Sequence, residues 1–551
     1  MSSRVPAAVR AGAVVQRAPA WAITAVLGLA YVITAPPSAD LAAASYRADL
    51  FGRVGFSLWD NGWYAGHHLP AYSVFAPALA WLIGPLAVAA ISMTVAAALF
   101  GALIEARFPA PAVRVASMWF AIGAAVGLLA SRVPFDLGLA VGLGSLLLAQ
   151  RGRRALSLAA AVVCALASPV AGAFLGLAAL GWALAERSRR FPLMLLLAAL
   201  LPIAVLTLAF PEGGSQPFVG SAFYPDLAGV LVLAGVIGRG RRALRAGTLL
   251  YGAALIGCYA IPTAVGGNVD RLGALVAGPL AACMLAGSTA SRRRMLVALA
   301  PILFYWQANA PVADFLSAAS DPAVHASYYA PLLGELRVLG VGYSARPARI
   351  EVVPTRDHWE ARFVAPQIAI ARGWERQLDT YRNGLFYSSQ ELSAARYEAW
   401  LSEQAIAYVA LPDAPLDYSG RAEARLVRGG ELSASGDAAG AGRPPRRVAL
   451  REVWRSAHWR LFAVLGVRAL AQPPALLTQL GSDSFTLSVP RAGRYVARVR
   501  FTSYWAISRG AGCVREAPGG WTELEASRAG RLHVVIGFSL ARVFSHGPRC
   551  R

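Results

Sequence analysis

Between residue 21 and about residue 310, long apolar runs of Ala, Leu, Val and Gly alternate with short arginine-bearing breaks. Beyond residue 312 the chain reads like an ordinary soluble sequence. The runs predict helices over roughly 21–37, 84–105, 115–131, 135–150, 155–168, 170–185, 191–210, 225–238, 246–264, 271–288 and 295–310. Several fall short of the ~20 residues that cross a bilayer, and 155–185 equally fits a re-entrant hairpin. Residues 69–83, with Pro70 and Pro77, read as an interfacial or re-entrant helix.

In the soluble part, 349–353 and 407–411 look like strands. Residues 392–404 look like a helix with Leu392, Tyr397 and Trp400 among its large apolar side chains. The Gly-, Ala- and Pro-rich stretch 429–447 reads as a flexible loop. Strand-like runs follow at 459–465, 484–489, 493–503 and 531–539, separated by Pro and Gly turns, which predicts a β-sandwich. The expected fold is therefore a polytopic α-helical membrane protein of about 11 transmembrane helices with a C-terminal extracytoplasmic α/β plus β-sandwich domain. The expected domains are 1–311 in the membrane, 312–428 as an α/β unit and 448–551 as a β-rich unit.

Composition agrees with a membrane solvent. Charged residues make up 15% of the chain and hydrophobic ones 56%, against about 25% charged in soluble domains. The net charge of +22 comes without a single lysine. Much of it lies in breaks between apolar runs, which orients a membrane protein and does not mark a nucleic-acid partner. Arg4, Arg10 and Arg17 precede the first run. Arg107 with Arg114, Arg151 to Arg154, Arg187 to Arg190, Arg239 to Arg245 and Arg292 to Arg294 fall on the same side when eleven spans alternate. That side is the cytoplasm by the positive-inside rule. The expected location is the cell (plasma) membrane, with a cytoplasmic N-terminus and the loop at 38–83 and everything after 311 outside. A further crossing at 69–83 would invert every later cluster. Cys164, Cys258 and Cys283 lie in apolar runs as small core residues. Cys513 and Cys550 lie in the outer domain, where a disulfide is permitted.

Candidate chemistry concentrates in the first outer loop. Asp40, Asp49 and Asp60 stand among Trp59, Trp63, Tyr64, His67 and His68. A carboxylate just past a helix end can take a proton from an acceptor hydroxyl, or can hold a divalent cation, Mg or Mn, against a lipid phosphate. The aromatic rings offer faces for sugars, and the histidines offer hydrogen bonds to a sugar or phosphate rather than a metal site. An ordinary interfacial belt of Trp and Tyr is the plainer reading. Two arginines break the inside bias. Arg271 follows Gly266-Gly267-Asn268-Val269-Asp270, and Arg132 opens the run after Ser131. A guanidinium fork there suits a phosphate. In the soluble part, 356–360 and 372–376 are dense in polar and aromatic residues that could bind a glycan or cover the membrane site. The chain contains no Walker A motif, zinc spacing or Gly-x-Ser-x-Gly elbow.

Asp40 after the first run, followed by Trp59, Gly66, Pro70, Tyr72 and Pro77, resembles the GT-C superfamily of membrane glycosyltransferases. The resemblance is specific over about 38–80 and architectural elsewhere. It implies a polyprenyl-phosphate sugar donor and a cell-envelope glycan or lipid acceptor. With it, the expected reaction is inverting transfer on the outer face, with Asp40 as general base; Arg271 and Arg132, from their own positions, are expected at the leaving phosphate, and Asn268 at the substrate. Many members carry two adjacent acids in this loop. Here Ala39 precedes Asp40 and the next acid is Asp49, which bears on metal dependence and on activity. The rival classes are a transporter or flippase of an envelope lipid or glycan and a non-catalytic envelope-assembly protein.

Overall fold

The computed structural model describes residues 19–238, 240–287, 289–343, 346–430, 432 and 448–551. Most of the loop expected at 429–447 lies outside these residues.

Among the described residues, thirteen α-helices precede the soluble part: α1 (Trp21–Thr34), α2 (Ala39–Val54), α3 (Ala76–Ile83), α4 (Pro85–Glu105), α5 (Ala110–Gly127), α6 (Val133–Gln150), α7 (Arg154–Ala167), α8 (Pro169–Ala185), α9 (Arg190–Ala209), α10 (Gly220–Val236), α11 (Arg242–Ala260), α12 (Asp270–Leu285) and α13 (Ala290–Ala319). Apart from α2 and α3, each occupies one of the expected apolar runs. Six have the length and composition to cross a membrane: α4, α5 with its continuation to Ala130, α6, α9, α11 and α13. The bent pair α1–α2 makes a seventh if taken as one broken span. The others are 14 to 17 residues long, shorter than a full straight crossing. The segment at 69–83 forms only the eight-residue α3.

The bundle's apolar surface faces outward. Only 22% of the apolar window of α9 is buried, and Leu197, Leu201 and Leu208 are exposed. Water would penalise such a surface and lipid does not. Inside, the contacts are small. Ala89, Ala96, Ala112, Ala116, Ala121 and Ala124 are wholly buried. Alanine lets backbones approach closely, and van der Waals packing then holds helices together in lipid. Arg-rich breaks meet at one end. Arg241 donates to the Arg107 carbonyl at 3.2 Å and lies over Phe108. Arg154 lies over Phe191.

The soluble part folds into two units. Its helices are α14 (Ala326–Val338), α15 (Glu360–Phe363), α16 (Arg376–Arg382), α17 (Ala394–Glu403) and α18 (Arg421–Gly429). A two-stranded ribbon, β1 (Trp59–Asp60) with β2 (His67–His68), belongs to the first loop. The α/β unit is a five-stranded sheet of β3 (Arg349–Val352), β4 (Ala369–Ile370), β5 (Ile406–Pro412), β6 (Ala449–Arg455) and β7 (Trp459–Leu465), in the order β4-β3-β5-β7-β6. Strands β3, β4 and β5 run parallel, while β7 pairs antiparallel to β5. The α/β unit therefore continues past residue 428 and takes two strands from the segment assigned to the β-rich unit. Strand β7 alternates like a sandwich strand, and nothing in its own pattern says that its partner is β5.

The last unit is a sandwich of two four-stranded sheets. One joins β10 (Gly493–Arg500), β13 (Trp521–Ala526), β12 (Gly512–Ala517) and β15 (Arg549–Cys550). The other joins β11 (Trp505–Arg509), β14 (Gly530–Ile536), β9 (Ser484–Val489) and β8 (Leu476–Leu480). Phe485, Leu487, Trp505, Leu524 and Val534 fill its centre. Cys513 and Cys550 are opposite partners on β12 and β15 and form a disulfide.

Candidate functional site

Helix α1 stops at Ala35, which adopts a left-handed φ of 44°, and Pro36 and Pro37 cannot continue it. Ser38 restarts the chain as α2: its Oγ accepts from the Leu41 amide and donates to the Ala130 carbonyl, both at 3.3 Å. The two helices meet at 73°. This break places Asp40 in the first turn of α2, at the top of the bundle. Arg132 caps α6 and Arg271 is the second residue of α12. The first turns of three helices thus converge, each with amides whose partial positive charge favours an anion.

The ion pairs there are loose. Arg132 Nε lies 3.8 Å and Arg271 Nη2 lies 3.9 Å from Asp40 Oδ2. All three side chains are about one-fifth exposed. Neither guanidinium makes a hydrogen bond among the described residues, so their donors remain available. Burial raises the Asp40 carboxyl above its ordinary range, and Arg271 and then Arg132 pull it back. Such a carboxylate is a better proton acceptor than one free in water. Arg271 also faces the Phe135 ring at 5.5 Å. Asn268 lies in the helical turn that leads into α12.

Two further acids lie within electrostatic reach of this trio, Asp136 and Asp314. Asp136 is 2% exposed and its Oδ2 has no hydrogen-bond partner among the described residues. The sequence held a signal for it that was not used: Asp136 stands four residues after Arg132, one turn along the same helix face. Asp314 could not have been found from spacing, since it lies 274 positions after Asp40 and 43 after Arg271.

A loop of the α/β unit covers the site. Trp374 Nε1 donates to the Ala39 carbonyl at 2.7 Å, beside Asp40. Glu375 pairs with Arg47, whose guanidinium lies 3.7 Å over the Tyr72 ring. Tyr64 donates to the Glu375 carbonyl at 3.0 Å. Gly373 is required because a Cβ there would come within 2.8 Å of Trp63. Of the 372–376 segment, Arg372 does not face the site. It is buried between Asp379, at 2.6 Å, and Glu423.

The other loop residues expected at the substrate are structural. Trp59, Trp63, Tyr64 and His67 are at most 1% exposed, and His68 is 7% exposed. No sugar can stack on rings that are already covered. Trp59 sits in the sandwich core, while Trp63 and Tyr64 sit in the core shared with the α/β unit. The Asn61 amide donates to the Ser482 carbonyl at 2.6 Å, and the Ile370 amide to the Gly62 carbonyl at 2.9 Å. The loop is a clamp between the two units. Burial drives His67 down to about 3, so it is neutral. His68 bridges Glu212, at 2.7 Å, and Thr502, at 3.0 Å. Asp49 pairs with Arg362. It stands nine residues beyond Asp40 on α2, about 13 Å along the axis. Asp60 accepts from Tyr46 at 2.8 Å and from the Gly62 amide at 3.0 Å. Aromatic density alone cannot distinguish a ligand platform from an interface between domains.

No group of three or more His, Cys, Asp or Glu among the described residues is arranged to hold a metal ion. The oxygen Asp40 would offer a cation faces two guanidiniums instead.

No family model matches the sequence, and no curated protein matches it. Among solved structures, the chain is similar to arabinofuranosyltransferase AftD from Mycobacteria, in two cryo-EM classes of one mutant. The identity is 16% in both, with TM-scores of 0.43 and 0.42. The matches cover 86% of this chain and 42% of that chain, so this chain spans less than half the length of that enzyme.

Proposed function

We propose that this chain is a multi-pass membrane glycosyltransferase of the GT-C type, with its soluble part on the extracytoplasmic side. In this reading all eleven long helices cross the bilayer, the shorter ones locally thinning it. The Arg-rich end faces the cytoplasm. The observation that carries the proposal is Asp40 flanked by two guanidiniums that make no hydrogen bond among the described residues, at a junction of helix N-termini.

The donor is a polyprenyl-phosphate sugar and the acceptor a cell-envelope glycan or lipid. The acceptor hydroxyl oxygen attacks the anomeric carbon from the face opposite the phosphate. The bond between that carbon and the phosphate oxygen breaks as the new glycosidic bond forms. Asp40 takes the hydroxyl proton, and the leaving polyprenyl phosphate gains its charge opposite Arg271 and Arg132. Preorganised donors aimed at developing charge lower the barrier most. The Trp374 loop excludes water that would otherwise hydrolyse the donor. The test is turnover of a labelled polyprenyl-phosphate sugar by purified chain with envelope acceptor. Wild type consumes the donor and Asp40→Ala, folded and inserted, does not. Full consumption by Asp40→Ala removes Asp40 from the mechanism. A flippase or an assembly scaffold consumes no donor at all.

A further inference from the structure

Past the end of β14 the sandwich carries a ridge of bare apolar side chains. Of the five large apolar residues exposed beyond residue 448 among the described residues, three lie between 538 and 544. Phe538 is 49% exposed, Leu540 74% and Phe544 84%. Their loop is tied down, so the exposure is built in and does not come from fraying. Arg549 lies on β15, the strand joined to β12 by the Cys513–Cys550 disulfide, and donates to the carbonyls of Gly537 at 2.7 Å and Tyr504 at 3.2 Å. Arg542 donates to the Ser503 carbonyl at 3.1 Å and to the Gly547 carbonyl at 2.9 Å, and Ser503 Oγ donates to the Arg542 carbonyl at 2.9 Å. Water penalises an apolar surface held open in this way, so a fixed apolar ridge marks a face that something else covers.

The place of the ridge in the fold identifies the cover. Phe210 ends α9, one of the helices long and apolar enough to cross a membrane. The Tyr504 hydroxyl donates to the Ala209 carbonyl at 2.6 Å, which fixes the sandwich to that helix end. The Phe210 ring lies 5.6 Å from Tyr504 and 6.2 Å from Phe538, and these two lie 5.4 Å apart. Val205 and Leu208, in the last turn and a half of α9, are exposed like the rest of its lipid-facing surface. Phe56 of the first loop, also exposed, lines one cleft with Phe538. The ridge therefore continues the apolar surface of α9 beyond the end of the helix. Arg542 and Arg549 direct their guanidiniums at protein carbonyls, so the attraction this loop offers is apolar and not an ion pair. Large apolar and aromatic side chains at such a level belong between the headgroups and the acyl chains.

We infer that the loop between β14 and β15 is a membrane-docking surface: Phe538, Leu540 and Phe544 insert into the interfacial layer of the bilayer that α9 crosses, and so seat the sandwich on the membrane. The partner is the bilayer surface itself, whatever the charge of its headgroups. The inference does not depend on sugar transfer, since no residue of the Asp40 site takes part. The test uses the full chain at one copy per phosphatidylcholine nanodisc, with Phe544 replaced by its trifluoromethyl analogue and read by fluorine NMR. The side chain is exposed, so the analogue leaves the fold intact. A nitroxide near the top of the lipid acyl chains should broaden the resonance beyond detection, while a water-soluble gadolinium chelate should leave it sharp. The same analogue at Leu540 should respond in the same way. Broadening by the chelate places the ridge in water and overturns the inference. A resonance that neither reagent broadens means that protein covers the ridge, from this chain or another, and overturns it equally.

Discussion

The α/β unit that covers the site should lose stability between pH 6.5 and 9 through one histidine. His358 is 6% exposed and sits between Glu360, at 3.2 Å from Nδ1, and Asp417, at 3.7 Å from Nε2. Burial alone would drive its pKa down, but the hydrogen bonds to Asp417 and Glu360 outweigh burial and hold it up at about 9. A histidine pKa raised in the fold stabilises the folded state fully below its unfolded value of about 6.5, and that contribution disappears as pH rises through 9. The gap is worth about 3 kcal/mol at 1.36 kcal/mol per pH unit. With urea slopes of about 1–3 kcal/mol/M, the midpoint should fall by roughly 1–3 M across this window. Urea titration of the full chain in micelles reads it, since Trp359 is buried beside His358. The control is His358→Asn, because position 358 has a φ of 56° and Asn tolerates the left-handed region. That variant starts less stable at pH 6.5 and shows a flatter profile. Glu423 is pushed up to about 7 by burial, and its effect cancels in the difference between the two proteins. Midpoints of wild type and variant that fall in parallel refute the reasoning.

Other expectations follow the same logic. Arg132→Gln removes one of the two charges that pull Asp40 down, so the acid limb of the transfer profile should move to higher pH; an unmoved limb means that another group limits the rate. Arg372→Met leaves Asp379 and Glu423 buried without their partner, a loss of about 3–5 kcal/mol, read as faster hydrogen exchange in β3 and β5; unchanged exchange contradicts it. Reducing Cys513–Cys550, which closes a separation of 37 residues, should destabilise the sandwich by about 4 kcal/mol in the chain-entropy model, read as earlier proteolysis after β12.

The helices were legible because apolar runs in this chain are set by the solvent around them, and each lipid-facing run must satisfy its own backbone. The strands at 349–352 and 406–412 were legible as segments, but sheet order was not. Strand β7 belongs to β5 because of contacts that no local pattern encodes. At the site, Asp40 stood out just past the end of the first apolar run, and Arg132 and Arg271 stood out at the starts of runs on the side with few arginines. Trp59, Trp63, His67 and His68 misled because their role depends on what covers them, and much of the cover comes from residues more than 140 positions away. Arg47 went unremarked because its partner, Glu375, stands 328 positions away.

Binding and turnover measured side by side with a polyprenyl phosphate and its sugar-bearing form test the central claim most directly. The account predicts that Asp40→Asn binds the polyprenyl phosphate at least as tightly as wild type, since a repelling carboxylate is gone, yet transfers sugar about 10²- to 10⁴-fold more slowly. Arg271→Met should bind it more weakly. An Asp40→Asn protein that transfers at the wild-type rate, or an Arg271→Met protein with undiminished affinity, contradicts the account.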